Sequence, residues 1–181
     1  MAADSVNPSS LSFSAKRYTV LTGAILILLT TTVPYLTLLN LFLFAGVFIS
    51  GTLALNHSIL RFQVRLAFSE AFLLGCFAGM VGGMLSEGAG YLLMEFFHYR
   101  PGAESLSLVI KWALDMARER PELHEQVQTL VAAEKMALSP VRLSFADLLM
   151  NMVFSGAIYA PIAGLGGSFA VLRLKRRATR S

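Results

Sequence analysis

Long apolar runs separated by short polar stretches dominate this chain, and they predict its architecture. A helix needs about 20 apolar residues to cross a bilayer, because lipid offers no hydrogen-bonding partner to an unpaired backbone group. Four runs approach or exceed this length, so we predict an all-α polytopic membrane protein with four transmembrane helices. The runs cover Tyr18–Thr32, Pro34–Leu60, Ser69–Phe97 and Asp147–Leu172.

The second run is the longest one without a charge. Its 27 residues would span about 40 Å as one helix, at 1.5 Å per residue, so it is long enough to need tilt or an exposed end. We place Pro34 at its first position, because proline disfavours a helical conformation in the residue before it and fits the first turn. The sequence therefore predicts one continuous helix from Pro34 to Leu60.

Similar short sequences precede three of the runs, namely Leu11–Ser14, Leu66–Glu70 and Leu143–Asp147. Serine side chains cap free N–H groups at a helix start, and an acid in the first turn faces the positive end of the helix dipole. This chemistry explains the similarity better than an internal duplication does.

Residues 99–142 form a different kind of segment, in which apolar residues recur at helical spacing between polar ones. Two amphipathic helices are expected, with Pro121 interrupting the pattern between them, so that the pair forms a hairpin or a kinked arm. The apolar positions are Leu106, Val109, Ile110, Ala113 and Ala117, then Leu123, Val127, Leu130, Val131 and Leu138. Mixed acids and bases on the polar face favour a cap or partner-binding arm over a helix lying on the outer leaflet.

The distribution of Lys and Arg predicts the side of the membrane on which each loop and tail lies. Lys and Arg accumulate on the cytoplasmic side of a membrane protein, and nine of them fall on one side of the four-helix layout. They are Lys16, Arg17, Arg61, Arg65, Arg173, Lys175, Arg176, Arg177 and Arg180. We expect a cytoplasmic tail over 1–17, helices 1 to 3 over 18–98, an extracytoplasmic segment over 99–142, helix 4 over 143–172 and a basic cytoplasmic tail over 173–181. We therefore predict that both termini lie in the cytoplasm.

Composition agrees with a membrane protein and excludes several classes. Hydrophobic residues make up 55% of the chain and charged residues 14%, against about 45–50% and 25% in an ordinary globular domain. The 15 Lys and Arg against 11 Asp and Glu give a net charge of +4, which fits basic flanks of membrane helices better than a nucleic-acid surface. We expect the bilayer, and no nucleic acid, as a partner.

Small residues follow one face of the third predicted helix at steps of four, at Gly75, Gly79 and Gly83. Such strips allow two helices to approach closely. The fourth predicted helix carries a matching strip, so we expect these two helices to pack along it. That strip contains Gly156, Ala160 and Gly164.

Glu87 continues the first strip and is the sharpest candidate for a functional residue, because an acid inside a membrane is costly unless neutral or paired. If the third helix ends at Ser86, Glu87 belongs to an interfacial hinge at Ser86–Gly88. If Glu87 lies deep, proton relay or cation handling becomes plausible. Asn40 and Asn151 are the other polar candidates, and each is expected to form an interhelical hydrogen bond.

No residue pattern indicates a catalytic, metal or cofactor site. His57, His98 and His124 lie in three separate regions, and Cys76 is the only cysteine. The histidines do not have the spacing of metal or haem ligands, and one cysteine cannot form such a site by itself. A nucleophile motif, a phosphate-binding glycine loop and paired carboxylates are also absent from the sequence. We therefore expect neither an enzyme nor a cofactor or metal.

The layout resembles a family of small bacterial four-helix membrane proteins known only as a domain of unknown function. Four features carry the resemblance. They are two consecutive helices at the start, the stretch Leu66–Gly75 that opens the third helix, the stretch Lys135–Pro140 that ends the amphipathic segment, and a glycine-rich last helix before a basic tail. The resemblance implies an inner-membrane protein without an assigned activity, and it contributes no catalytic residue.

The expected function is that of a non-enzymatic assembly or accessory component, which contacts itself or a larger membrane complex through its small-residue helix faces and its amphipathic arm. The alternative is a small oligomeric transporter or ion-coupled carrier that uses Glu87.

Overall fold

The computed structural model describes residues 11–119, 122, 124–138 and 144–178, and within them the fold is all-α. Seven helices follow one another along these parts of the chain. They are α1 (Phe13–Thr32), α2 (Leu38–Leu41), α3 (Ala45–Phe62), α4 (Phe68–Phe97), α5 (Ala103–Glu119), α6 (His124–Leu138) and α7 (Phe145–Ala178).

Three of the described helices are long and apolar enough to cross a membrane: α1, α4 and the Phe145–Arg177 part of α7. The prediction of four transmembrane helices is therefore wrong by this measure. The helix that falls short is α3, which has only 18 residues and carries Asn56, His57 and Arg61 in its second half. Three candidate spans still indicate a multi-pass membrane protein in contact with lipid.

The predicted helix from Pro34 to Leu60 is also wrong, because Pro34 lies in a turn before α2 and the chain breaks the helix again between α2 and α3. Leu43 and Phe44 adopt φ angles of 50° and 57°, a left-handed conformation that costs a residue with a Cβ about 1–3 kcal/mol. Asn40 stabilises the break by bonding to α1 and to α3. Its amide Nδ2 donates to the carbonyl of Thr30 at 2.9 Å, and its Oδ1 accepts from the N–H of Val47 at 3.2 Å.

Four helices form the bundle, in which α1 and α7 each pack on both α3 and α4. The chain leaves one end of the bundle along α1 and returns to it along α3, then leaves again along α4 and returns along α7. Three contacts fix this arrangement. Lys16 Nζ of α1 lies 3.2 Å from Glu70 Oε1 of α4, Arg61 of α3 donates to Tyr18 of α1 at 2.6 Å, and Lys175 of α7 lies over the ring of Phe68.

Exposed apolar side chains cover the outside of the bundle. On α1 they recur every four residues at Leu21, Ile25 and Leu29, and α7 exposes Phe154 and Leu165, which lie about three turns apart. A helix that is apolar on its outer face as well as in its packed face suits a lipid environment. This exposed apolar surface therefore fits contact with lipid.

Helices α5 and α6 form an antiparallel hairpin at the other end of the bundle. Ser107 of α5 donates to Glu134 of α6 at 2.8 Å, while Ala117 and Val127 are buried near the tip. A buried hydrogen bond between the hydroxyls of Thr37 and Ser105 joins the start of the hairpin to the chain just before α2. The two helices lie where the amphipathic pattern predicts them, and Pro121 lies outside the described residues.

The helix-start interpretation of the similar short sequences is confirmed at two of three places. Ser12 accepts from the N–H of Ala15 at 3.4 Å, and Ser144 and Asp147 bond reciprocally at the start of α7. The third helix start differs, because Ala67 precedes α4 and has no capping side chain.

Candidate functional site

The seam between α4 and α7 holds both the glycine strips and Glu87. The backbones approach so closely that a Cβ added at Gly75 would lie 2.5 Å from the carbonyl oxygen of Ala163 and 2.8 Å from Cα of Gly164. Gly83 lies equally close to Gly156, whose N–H nitrogen would be 2.8 Å from such a Cβ. Only residues without a Cβ allow this approach.

The other strip residues share the seam. Gly79 packs against the backbone of Tyr159 and Ala160, and Gly164 packs against Phe72 and Cys76. All six candidate packing residues therefore face each other inside one chain. Because these faces are already covered, they are not free to pack against a second molecule.

Glu87 lies within α4, which continues without a break to Phe97. The interpretation of Ser86–Gly88 as a hinge after the third helix is therefore wrong. The side chain is partly buried, and its Oε1 accepts a hydrogen bond of 2.7 Å from the hydroxyl of Ser155 on α7. Glu87 thus joins the two helices of the seam directly.

The distance along α4 from its first residue to Glu87 can be compared with the thickness of a membrane. It is 19 residues from Phe68, which corresponds to about 28 Å along the helix axis. A hydrocarbon core about 30 Å thick that begins at Phe68 would end close to this carboxylate. At 30 residues, α4 is about 45 Å long and extends well past that level.

The two candidate amides behave differently from each other. Asn40 forms the interhelical hydrogen bond expected of it, to the end of α1. Asn151 is exposed on α7, and within the described residues it makes no hydrogen bond. The interhelical hydrogen bond expected of Asn151 is therefore not formed among the residues that the structure describes.

Hydrogen bonds from threonine hydroxyls to a neighbouring helix were not anticipated from the sequence. Thr19 of α1 donates to Ser58 of α3 at 2.8 Å, and Thr31 of α1 donates to Ser86 of α4 at 2.7 Å. Thr52 of α3 donates to the carbonyl of Gly166 on α7 at 3.0 Å. Hydroxyl residues inside apolar runs are the available signal, because such groups seek a partner where water is absent. Their partners, however, lie far away along the chain.

The cations that were counted as one side of the membrane lie at one end of the bundle. We call this the basic end, and it comprises Lys16, Arg17, Arg61, Arg65, Arg173, Lys175, Arg176 and Arg177. Arg180 belongs to the same count but lies outside the described residues. The antiparallel order of the helices causes this clustering, since α1 and α4 begin where α3 and α7 end.

The histidines and the cysteine are not brought together. His57 Nε2 lies 3.3 Å from the hydroxyl of Tyr18, while His98 forms the left-handed end of α4. The side chain of His124 lies outside the described residues. Within the described part of the chain, no three His, Cys, Asp or Glu residues could hold a metal ion together.

Comparisons with known proteins identify no relative. No protein-family model matches the chain, and neither the curated proteins nor the solved structures that were searched contain a match.

Proposed function

We propose that the protein is a non-enzymatic assembly or accessory component of the bacterial inner membrane, with both termini in the cytoplasm. The α5–α6 hairpin is the observation that carries this proposal. Its helices pack mainly on each other, and it leaves large apolar side chains exposed. Trp112 and Met116, one turn apart on α5, are 54% and 58% exposed, and Leu130 of α6 is 45% exposed.

The charge of the hairpin supports a protein partner. Six acids and six bases balance within residues 99–142, so the segment offers little attraction to a charged lipid surface. The bundle supports the same conclusion by exclusion, because its glycine strips are already used inside the chain. An apolar face of a larger membrane complex is therefore the partner that fits the hairpin.

The basic end supports the proposed orientation. Lys and Arg are retained on the cytoplasmic side, and the acids and bases of the opposite end are balanced. Single cysteines at Arg17 and Arg177 should both be labelled only after the inner membrane is opened to a charged thiol reagent, on a background in which Cys76 is replaced by serine. Labelling of either one from the periplasmic side would contradict the orientation.

Photo-cross-linking in cells tests the assembly role. Photoreactive residues placed at Trp112 and Leu130 should capture the same heterologous protein repeatedly. The same group at Phe154, which is 66% exposed on the lipid-facing side of α7, serves as the control and should capture no recurrent protein. A chain that is monomeric in mild detergent and captures no protein from the hairpin positions would overturn the proposal.

One observation favours an ion-coupled carrier as the second candidate. Glu87 is a carboxyl group within the α4–α7 seam, and its only bond between described side chains is the one from Ser155. A carrier of this kind would depend on the acidic group, so Glu87→Gln should abolish its flux in reconstituted vesicles. If Glu87→Gln leaves ion flux and cell phenotype unchanged, this candidate is removed.

A further inference from the structure

An apolar cleft of about 430 Å³ opens at the basic end of the bundle. It lies between the last turns of α3, the connection to α4 and the last turns of α7. Its apolar lining consists of Leu66 and Val171, which are both buried, and of Ile59, Val64 and Leu174. Its volume falls within the roughly 300–1,000 Å³ typical of ligand clefts.

Two cations, Arg65 and Lys175, line the same cleft. Lys175 Nζ also lies 4.4 Å from the ring centroid of Phe68, so its side chain is held at the point where α4 begins. Glu70 is the acid that the structure describes at this end, and it forms its ion pair with Lys16 at 3.2 Å. Across the described ranges, neither Arg65 nor Lys175 has a carboxylate partner.

We propose that this cleft binds one anionic phospholipid, with the phosphate between Arg65 and Lys175 and an acyl chain against the apolar walls. Free phosphate would leave the apolar lining in contact with water. A zwitterionic lipid would cover the lining but would bring a cationic group to two cations. An anionic phospholipid satisfies both surfaces at once, and Lys175 lies beside Phe68, the first residue of the candidate span α4.

This site is distinct from the general attraction between a basic tail and anionic headgroups. That attraction depends on the number of charges near the surface, whereas the cleft requires two particular cations beside an apolar cavity. The proposal is also independent of any protein partner of the hairpin, which lies at the other end of the bundle.

Native mass spectrometry of the full chain in mild detergent tests the site. The protein is titrated separately with phosphatidylglycerol and with phosphatidylcholine of the same acyl chains. One phosphatidylglycerol should bind before any weaker additions and ahead of phosphatidylcholine. Arg65→Gln with Lys175→Gln should weaken this first step by about five-fold per charge, or about 25-fold together.

A charge-matched control distinguishes the cleft from the basic surface. Arg17→Gln with Arg177→Gln removes the same charge from exposed positions at the same end, outside the cleft lining. This control should leave the first binding step unchanged. Equal weakening by the two double variants would overturn the proposal, as would equal affinity for the two lipids.

The apolar half of the cleft is tested separately. Val64→Trp fills the cavity without changing charge and should displace phosphatidylglycerol, while Leu60→Trp adds the same ring at a position 60% exposed and should not. Glycerol 3-phosphate, which has the phosphate but no acyl chain, should not compete. Competition by glycerol 3-phosphate, or full binding by a folded Val64→Trp protein, would contradict a lipid site. The charge variants test the proposal even if Val64→Trp does not fold.

Discussion

Replacing Gly75 by alanine should loosen the α4–α7 seam, although alanine is the better helix former. The added Cβ would lie 2.5 Å from the carbonyl oxygen of Ala163, whereas ordinary van der Waals contact begins at 3.4 Å. The difference is 0.9 Å. All three nearest atoms belong to the backbone of α7, so no side chain can turn away, and the helices themselves must separate.

Two opposing contributions determine how Gly75→Ala changes the stability of the protein. Overpacking of this kind costs about 1–3 kcal/mol, and a shift of that size also forfeits a quarter to a half of the dispersion energy at neighbouring seam contacts. Alanine in place of glycine contributes about 1 kcal/mol in favour of the helix. Gly88→Ala is the matched control, because its Cβ would meet only the flexible end of Met152 at 3.8 Å. The two variants should differ in stability by about 1–3 kcal/mol, with Gly75→Ala the less stable.

Unfolding in mixed micelles of a mild detergent and dodecyl sulfate measures this difference, with helix content as the readout. The propensity contribution is shared by both variants and cancels in the comparison. If Gly75→Ala is as stable as Gly88→Ala, the seam does not have the close backbone contact on which this reasoning depends.

Two further predictions concern hydrogen bonds that the fold creates. Thr19→Val removes the donor to Ser58 and should destabilise the bundle by about 1 kcal/mol, and adding Ser58→Ala should recover part of this because no hydroxyl is then left unpaired. Strictly additive losses in the double variant would argue against the pair. Ser144→Ala removes the cap of α7 and should cost about 0.5–2 kcal/mol, seen as faster amide exchange at Asp147. Ser69→Ala is the control, since Ser69 caps nothing, and equal exchange in the two variants would refute the capping role.

Elements that depend on local pattern were predictable from the sequence. The third predicted helix agrees with α4 to within a few residues at both ends, and the fourth agrees with α7 at its start but ends earlier. The predicted hairpin helices agree with α5 and α6. Length, apolar content and 3.6-residue periodicity are properties of a single segment, so no knowledge of the partner is needed. The location of the chain in a membrane follows from the same properties.

The break near Phe44 could not be predicted in this way. The run from Pro34 to Leu60 has the composition of one helix, yet Asn40 bonds to Thr30 on α1 and to Val47 beyond the break. Gly46 leaves room for that amide, since a Cβ there would lie 2.5 Å from Asn40 Oδ1. Contacts with another helix offset the energetic cost of two left-handed residues. A pattern within the run itself does not reveal these contacts.

The candidate sites divide along the same line. The sequence alone identified the glycine strips, Glu87 and the nine cations on one side of the predicted layout. Only the tertiary structure decided that the strips meet inside one chain, that Glu87 bonds to Ser155, and that Arg65 and Lys175 share an apolar cleft. The physical reason is distance along the chain. Periodicity determines which face of a helix is apolar, but the choice of neighbour depends on side-chain shape and hydrogen bonding between segments far apart in sequence.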